Sequence, residues 1–131
     1  MKKVARGLHG LVPRIDVLAT SPLTRAAQTA DIVASAYDGV ERVTLPALAP
    51  SQSVTALTEW LDRQRRHEMV AVVGHEPSLS RTMSWLLAGA ERSFIEIKKG
   101  AVCLLRFETA VTAASATLVW ALTPSQLRNL H

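Results

Sequence analysis

Two short apolar runs constrain this chain more than any other feature, because each passes without a linker into a segment of helical period. "IDVLATS" (residues 15–21) is rich in β-formers and leads into "PLTRAAQTADIVASAY", where Leu23, Ala26, Ala27, Ala30 and Val33 recur at helical spacing. "MVAVVGH" (69–75) is continuously apolar, the pattern of a strand covered on both faces. It leads into "PSLSRTMSWLLAG", whose Leu79, Met83, Leu86 and Leu87 share one side and whose Gly89 stands past the helix end. Around these two units, "VARGLHGLV" repeats Val4, Leu8 and Leu11 at helical spacing, "ERVTL" reads as a strand, "PALAP" as a loop, and "VTALTEWLDRQRR" as an amphipathic helix with Val54, Leu57, Trp60 and Leu61 inward. "AVCLLRFE" and "ATLVWAL" read as two further strands joined by the Thr/Ala-rich "TAVTAASA", before a short terminal helix, "PSQLRNL". Strands alternating with helices predict an α/β fold, a three-layer sandwich with a largely parallel sheet. The 131 residues are material for one domain, spanning 1–131.

With 48% hydrophobic and 20% charged residues, and no apolar run near the ~18 residues a membrane span requires, a soluble protein with no membrane partner is expected. The opening "MKKVARGLHG" lacks the apolar stretch of a secretory signal, and the one cysteine, Cys103, leaves no internal disulfide to form; both fit a cytoplasmic location. The net charge of +4 raises the question of nucleic acid. Lysines and arginines come in ones and twos, with "RQRR" (63–66) and "KK" (98–99) the local concentrations, and aromatics make up 5%, so no nucleic-acid partner is expected. A phosphate-bearing substrate accounts for the positive excess equally well.

In open parallel sheets, ligands bind beyond the carboxyl ends of the strands, where helix N-termini also point. Two junctions deliver polar residues to that edge. At the first, Ser21 suits an N-cap and Pro22 a first helical residue, which puts Arg25 in or just after the first turn. A cation is mildly unfavourable there, so Arg25 either answers an anion or extends to solvent. At the second, the strand delivers Gly74 and His75 beside the start of the next helix, near the same edge as Arg25, so that one phosphate could touch both. Glu76 suits a helix start better than proton transfer. His67 in "RRHE" reads as solvent-facing, His131 as terminal and Cys103 as packed within its strand. No metal-ligand spacing, glycine-elbow serine or phosphate-cradling glycine loop is found, so neither metal nor cofactor is expected.

Taken together, "SPLTRAAQTA", "VGHEPSLS", "IKKGAVCLLRF" and "LVWALTPSQLRNL" resemble, in order and separation, the histidine phosphatase superfamily, and specifically its short phosphohistidine phosphatase branch of the SixA type. The resemblance covers nearly all of the chain. It implies a phosphoglycerate-mutase-like fold, Arg25 binding phosphate oxygens, His75 donating hydrogen bonds to the transferring phosphoryl group, and Ser21 joining the phosphate site. It also implies a phosphohistidine-bearing protein as partner and a role in signal transduction. The family's Arg-His-Gly motif, whose histidine attacks phosphorus, is not in these 131 residues. "LHG" at Leu8–Gly10 lacks the arginine and falls in a helical pattern, so His9 is not expected to be the nucleophile. The family's first strand is then missing, with ~20 to 40 residues absent before Met1 by ordinary element lengths, and a chain that is catalytically silent as given is expected. The exposed strand edges would invite pairing with another copy. A non-catalytic phosphate-binding domain and a small-molecule phosphomonoesterase are the competing readings.

Overall fold

The computed structural model of the protein describes residues 1–130, so His131 lies outside the described residues. The order is α1 (Lys2–Leu11), β1 (Val17–Thr20), α2 (Thr24–Ala34), β2 (Glu41–Thr44), a 3-10 turn (Pro46–Leu48), α3 (Val54–Arg63), β3 (Val70–Val73), α4 (Ser78–Ala88), β4 (Val102–Phe107), β5 (Ala116–Leu122) and α5 (Pro124–Arg128). β1 is the middle of a parallel sheet ordered β2-β1-β3, with Val17 opposite both Glu41 and Val70 and Thr20 opposite Thr44 and Val73. β4 and β5 form a separate antiparallel pair with a register irregularity between Leu104 and Leu105.

Alternation along β1 divides the core. Leu18 faces Leu8 and Val12, which begin and follow the last turn of α1, and Ala30 and Val33 of α2; Val102 and Trp120 of the β4–β5 pair pack on this side too. Val17 and Ala19 face Leu48, Leu57 and Trp60, with Leu79 of α4 alongside. Helices on one face, sheet, and helices on the other make the α/β three-layer sandwich that the sequence predicts. No helix among the described residues is long and apolar enough to cross a membrane.

The structure corrects the sequence reading at several points. β3 is half-buried at each of its four residues instead of covered on both faces, because it pairs with β1 along one edge and has no strand on the other among the described residues. The third helix ends at Arg63, leaving "QRR" in the turn that follows. His67 does not face solvent: it is half-buried, and its Nε2 has no hydrogen-bond partner, a cost of about 1–3 kcal/mol for a shielded polar atom. Leu11 is 42% exposed, since α1 buries Val4, Ala5, Gly7 and Leu8 and turns its last residue outward. Gly89, by contrast, closes α4 with φ 77, the left-handed cap expected of it.

Two contacts fix the frame. A carboxylate, Asp16, precedes β1 and accepts from the backbone N–H groups of Glu68 (3.0 Å) and Met69 (2.9 Å), while Arg14 Nε donates to it at 2.8 Å. The backbone hydrogen bond from Met69 is the largest influence holding its carboxyl below the usual range, followed by partial burial acting in the opposite direction and then by Arg14. A carboxyl with a depressed native pKa stabilises the fold above the unfolded-state pKa and loses that contribution as pH falls through the native value. Asp16→Asn is therefore expected to lower the unfolding temperature at neutral pH, the deficit shrinking toward zero in acid, as thermal melts of both proteins across a pH series would show.

The second contact joins α1 to α5. A Cβ built on Gly7 would lie 1.9 Å from the backbone oxygen of Leu127, so only glycine permits this approach. α5 is secured in turn by a capping box, with Thr123 accepting from Gln126 N and Gln126 Oε1 accepting from Thr123 N. Gly7→Ala is expected to cost at least about 1–3 kcal/mol, since the clash is with backbone and no side chain can swing aside; denaturant unfolding measures the loss.

Candidate phosphate-binding site

The site grows from the ends of β1 and β3. Ser21 continues the ladder one residue past β1, its N–H donating to Val73 O at 2.9 Å, and its side chain is fully buried. Two residues beyond β3, His75 turns its ring back so that Nε2 lies 2.8 Å from Ser21 Oγ. The same hydroxyl oxygen accepts from Leu23 N at 3.2 Å. A serine hydroxyl can accept two bonds and donate one, so beside the Leu23 N–H Ser21 can still donate to or accept from the imidazole, holding either neutral tautomer and accepting from the ring when it is protonated. His75 Nδ1 has no hydrogen-bond partner among the described residues, which leaves it available to a ligand.

Ser21 is not the N-cap of α2. The helix begins at Thr24, the cap position falls on Leu23 with extended φ/ψ, and Pro22 lies outside the helix. The hydroxyl is engaged instead by Leu23 N and His75, so no side chain caps the helix, and its first turn carries no acidic residue. Uncapped N–H groups at a helix start favour an anion. Arg25 is the second residue of this helix, exposed, with no ion-pair or hydrogen-bond partner among the described residues. Sequence reasoning put Arg25 and His75 near one strand edge, with Ser21 at the first junction, and the structure sets all three at the carboxyl edge of one parallel sheet. It missed the Ser21–His75 bond, although both residues close apolar runs whose strands turn out to be neighbours.

Glu76 is used structurally. Its Oε1 accepts from Ser80 N at 2.7 Å at the start of α4, and the peptide bond to Pro77 is cis. Burial first, and the Glu76 carboxylate second, push the thiol of half-buried Cys103 up. Cys103 also lines a groove of about 210 Å³ with Glu96, Ile97, Lys98 and Thr123. His9 lies elsewhere: it is exposed on α1 with its ring edge-on to Tyr37 (centroids 5.0 Å apart), beside a 240 Å³ hollow shared with Arg14 and Ile15, ahead of the amino end of β1. The Tyr37 hydroxyl there donates to Val12 O at 2.7 Å, and burial pushes its pKa up to about 12. No group of three potential metal ligands is found among the described residues.

The backbone arrangement has clear counterparts among solved structures. That of the protein histidine phosphatase SixA complexed with tungstate superposes with a TM-score of 0.83 at 22% identity, covering 96% of this chain and 80% of that one. The fold is SixA-like. A protein of Agrobacterium tumefaciens assigned as a phosphohistidine phosphatase SixA superposes with a TM-score of 0.71 at 18% identity, covering 94% of this chain and 77% of that one. In sequence, an uncharacterized protein of Picosynechococcus sp. (strain ATCC 27264 / PCC 7002 / PR-6) is 34% identical over 107 residues, 80% of this chain. The match spans 65% of that relative's length. No family model matches the chain.

The Ser21–His75 bond yields its own expectation. Ser21→Ala and His75→Ala each remove it, so in a double-mutant cycle the two losses of stability should fall short of additivity by about 0.5–1.5 kcal/mol, the ordinary worth of such a bond. Urea unfolding of the four proteins measures this coupling, and full additivity would show that the two side chains do not interact in solution.

Proposed function

We propose that the chain supplies the phosphoryl-binding half of a phosphohistidine phosphatase acting on phosphohistidine carried by a protein. The observation that carries this reading is His75 fastened by Ser21 at the sheet edge with Nδ1 left over, beside the unpaired Arg25 on an uncapped helix start. These groups are donors, and a phosphoryl group presents only acceptor oxygens. Arg25 would pair two oxygens with its guanidinium fork, and His75 would donate from Nδ1 to another. That a SixA structure was captured with tungstate, an oxyanion of phosphate-like shape, is in keeping with this.

In such an enzyme a nucleophilic histidine attacks phosphorus in line, the P–N bond to the substrate imidazole breaks, and water then releases phosphate from the phosphorylated enzyme. The donors stabilise charge on the non-bridging oxygens. Imidazole leaves more readily than an alkoxide, so the diversion of Glu76 to helix capping does not obstruct the chemistry. The attacking histidine is not His9, which lies by the opposite end of β1, and it would come from polypeptide beyond these 131 residues. A second reading, a domain that binds phosphate without turnover, is favoured by one observation: among the described residues no histidine other than His75 stands at the carboxyl edge.

Calorimetric titration with tungstate or phosphate tests the shared part. Binding is expected to weaken about tenfold or more, equivalent to ~1.4 kcal/mol, in Arg25→Ala and in His75→Ala, and to be unaffected by a chelator. Unchanged affinity in both variants would remove the site. Phosphate release from a phosphohistidine peptide separates the two readings: it should be absent from this chain and present when an N-terminal segment ending in Arg-His-Gly is joined to it. Turnover by this chain that disappears in His9→Ala would overturn the assignment.

A further inference from the structure

The sequence shows its basic residues dispersed, but folding gathers four of them. The Met1 sulfur and the Pro124 ring both lie against Gly100, at 3.6 Å and 3.2 Å from where a Cβ on that glycine would stand. This brings the lysine pair that follows Met1 near the pair that precedes Gly100, two segments almost a hundred residues apart in sequence. All four lysines are exposed. The ion pairs among the described residues are made by Arg14, Arg42, Arg65 and Arg106, so none of the four lysines is neutralised by one.

The location matters as much as the charge. Lys98 lines the 210 Å³ groove together with Cys103 and Thr123. α1 ends a short turn before the amino end of β1 and packs back along that strand, Leu8 against Leu18, so its first residues, Lys2 and Lys3 among them, lie toward the carboxyl edge that carries Ser21 and His75. We propose that Lys2, Lys3, Lys98 and Lys99 form a docking face for an acidic surface of the protein that carries the phosphoryl group. The proposal rests on the phosphate-binding reading above. Glu96 in the groove and the exposed Glu76 beside His75 interrupt the positive surface. A nucleic-acid strand would drag its uniform charge across both, whereas a protein can match lysines with carboxylates and leave neutral or basic groups opposite the two glutamates. Exposed charges of this kind act chiefly on encounter and selectivity and are screened by salt.

The test uses the whole chain and fluorescence anisotropy with three labelled, unphosphorylated histidine peptides of equal length, rich in Asp/Glu, Ser/Gln or Lys. The acidic peptide is expected to bind about tenfold more tightly than the neutral one at low salt and to lose that preference at high salt. Replacing all four lysines by glutamine should abolish the preference, and replacing them by glutamate should turn it toward the Lys-rich peptide, with circular dichroism verifying the fold of each variant. Equal binding of acidic and neutral peptides, or a preference that survives the glutamine replacements, overturns the proposal. So does tighter lysine-dependent binding of a single-stranded oligonucleotide or of phosphatidylglycerol vesicles than of the acidic peptide. Phosphate titration keeps the two readings apart: Arg25→Ala should lose phosphate and retain the peptide preference, and the glutamine variant should show the reverse.

Discussion

The parallel register of β1 against β3 is the constraint on which the remainder depends. It is fastened outside the strands at both ends: Asp16 N donates to Met69 O and the Asp16 carboxylate takes two N–H groups from residues 68 and 69, while Ser21 N donates to Val73 O. Slipping the pairing by one residue would turn every side chain of the moving strand to the opposite face and break these fastenings together. Because the register is held, Ser21 and His75 emerge level with one another, and a hydroxyl and an imidazole from distant parts of the chain meet at 2.8 Å. The position of α2 follows, since Ser21 Oγ also takes Leu23 N and sets where the chain turns into the helix.

Much of this was legible because it is local. Apolar runs of four to seven residues beside helical periods mark β1, β3, α2 and α4, and Gly89 marks an end through its own backbone freedom. What the sequence hid depends on partners. Ser21 has an N-cap's chemistry, but a histidine 54 positions on competes for its hydroxyl and the helix starts three residues later. β3 has a buried strand's composition, but composition does not say how many neighbours a strand has, and among the described residues this one has a single neighbour. His67 sits in a polar stretch, yet the return of the chain toward β3 shields its ring. The lysines at 2–3 and 98–99 look isolated until Met1 is seen against Gly100. The residue types of the candidate site could be read; the bond that pairs Ser21 with His75 required the sheet.

The carboxyl edge is also notable for what its acid beside the imidazole does. Glu76, next to His75, spends a lone pair on Ser80 N and thereby steadies the start of α4. Arg25, the open N–H groups of α2 and His75, whose Nδ1 can carry a proton, then supply the edge with donors. Such an edge suits the holding of an oxyanion more than the abstraction of a proton.

The backbone contact between Gly7 and Leu127 has a consequence for how the protein is made. α1 leaves the ribosome well before α5, and it is α5 that comes close enough to exclude any side chain larger than hydrogen at position 7. During synthesis the part of α1 that α5 covers must wait, bare or shielded by a chaperone, until α5 emerges. Closure of this layer is a long-range event, of the kind that slows folding in proportion to the length of chain it encloses. α5 thus acts as the latch of a layer whose other helix has been waiting since well before it was made.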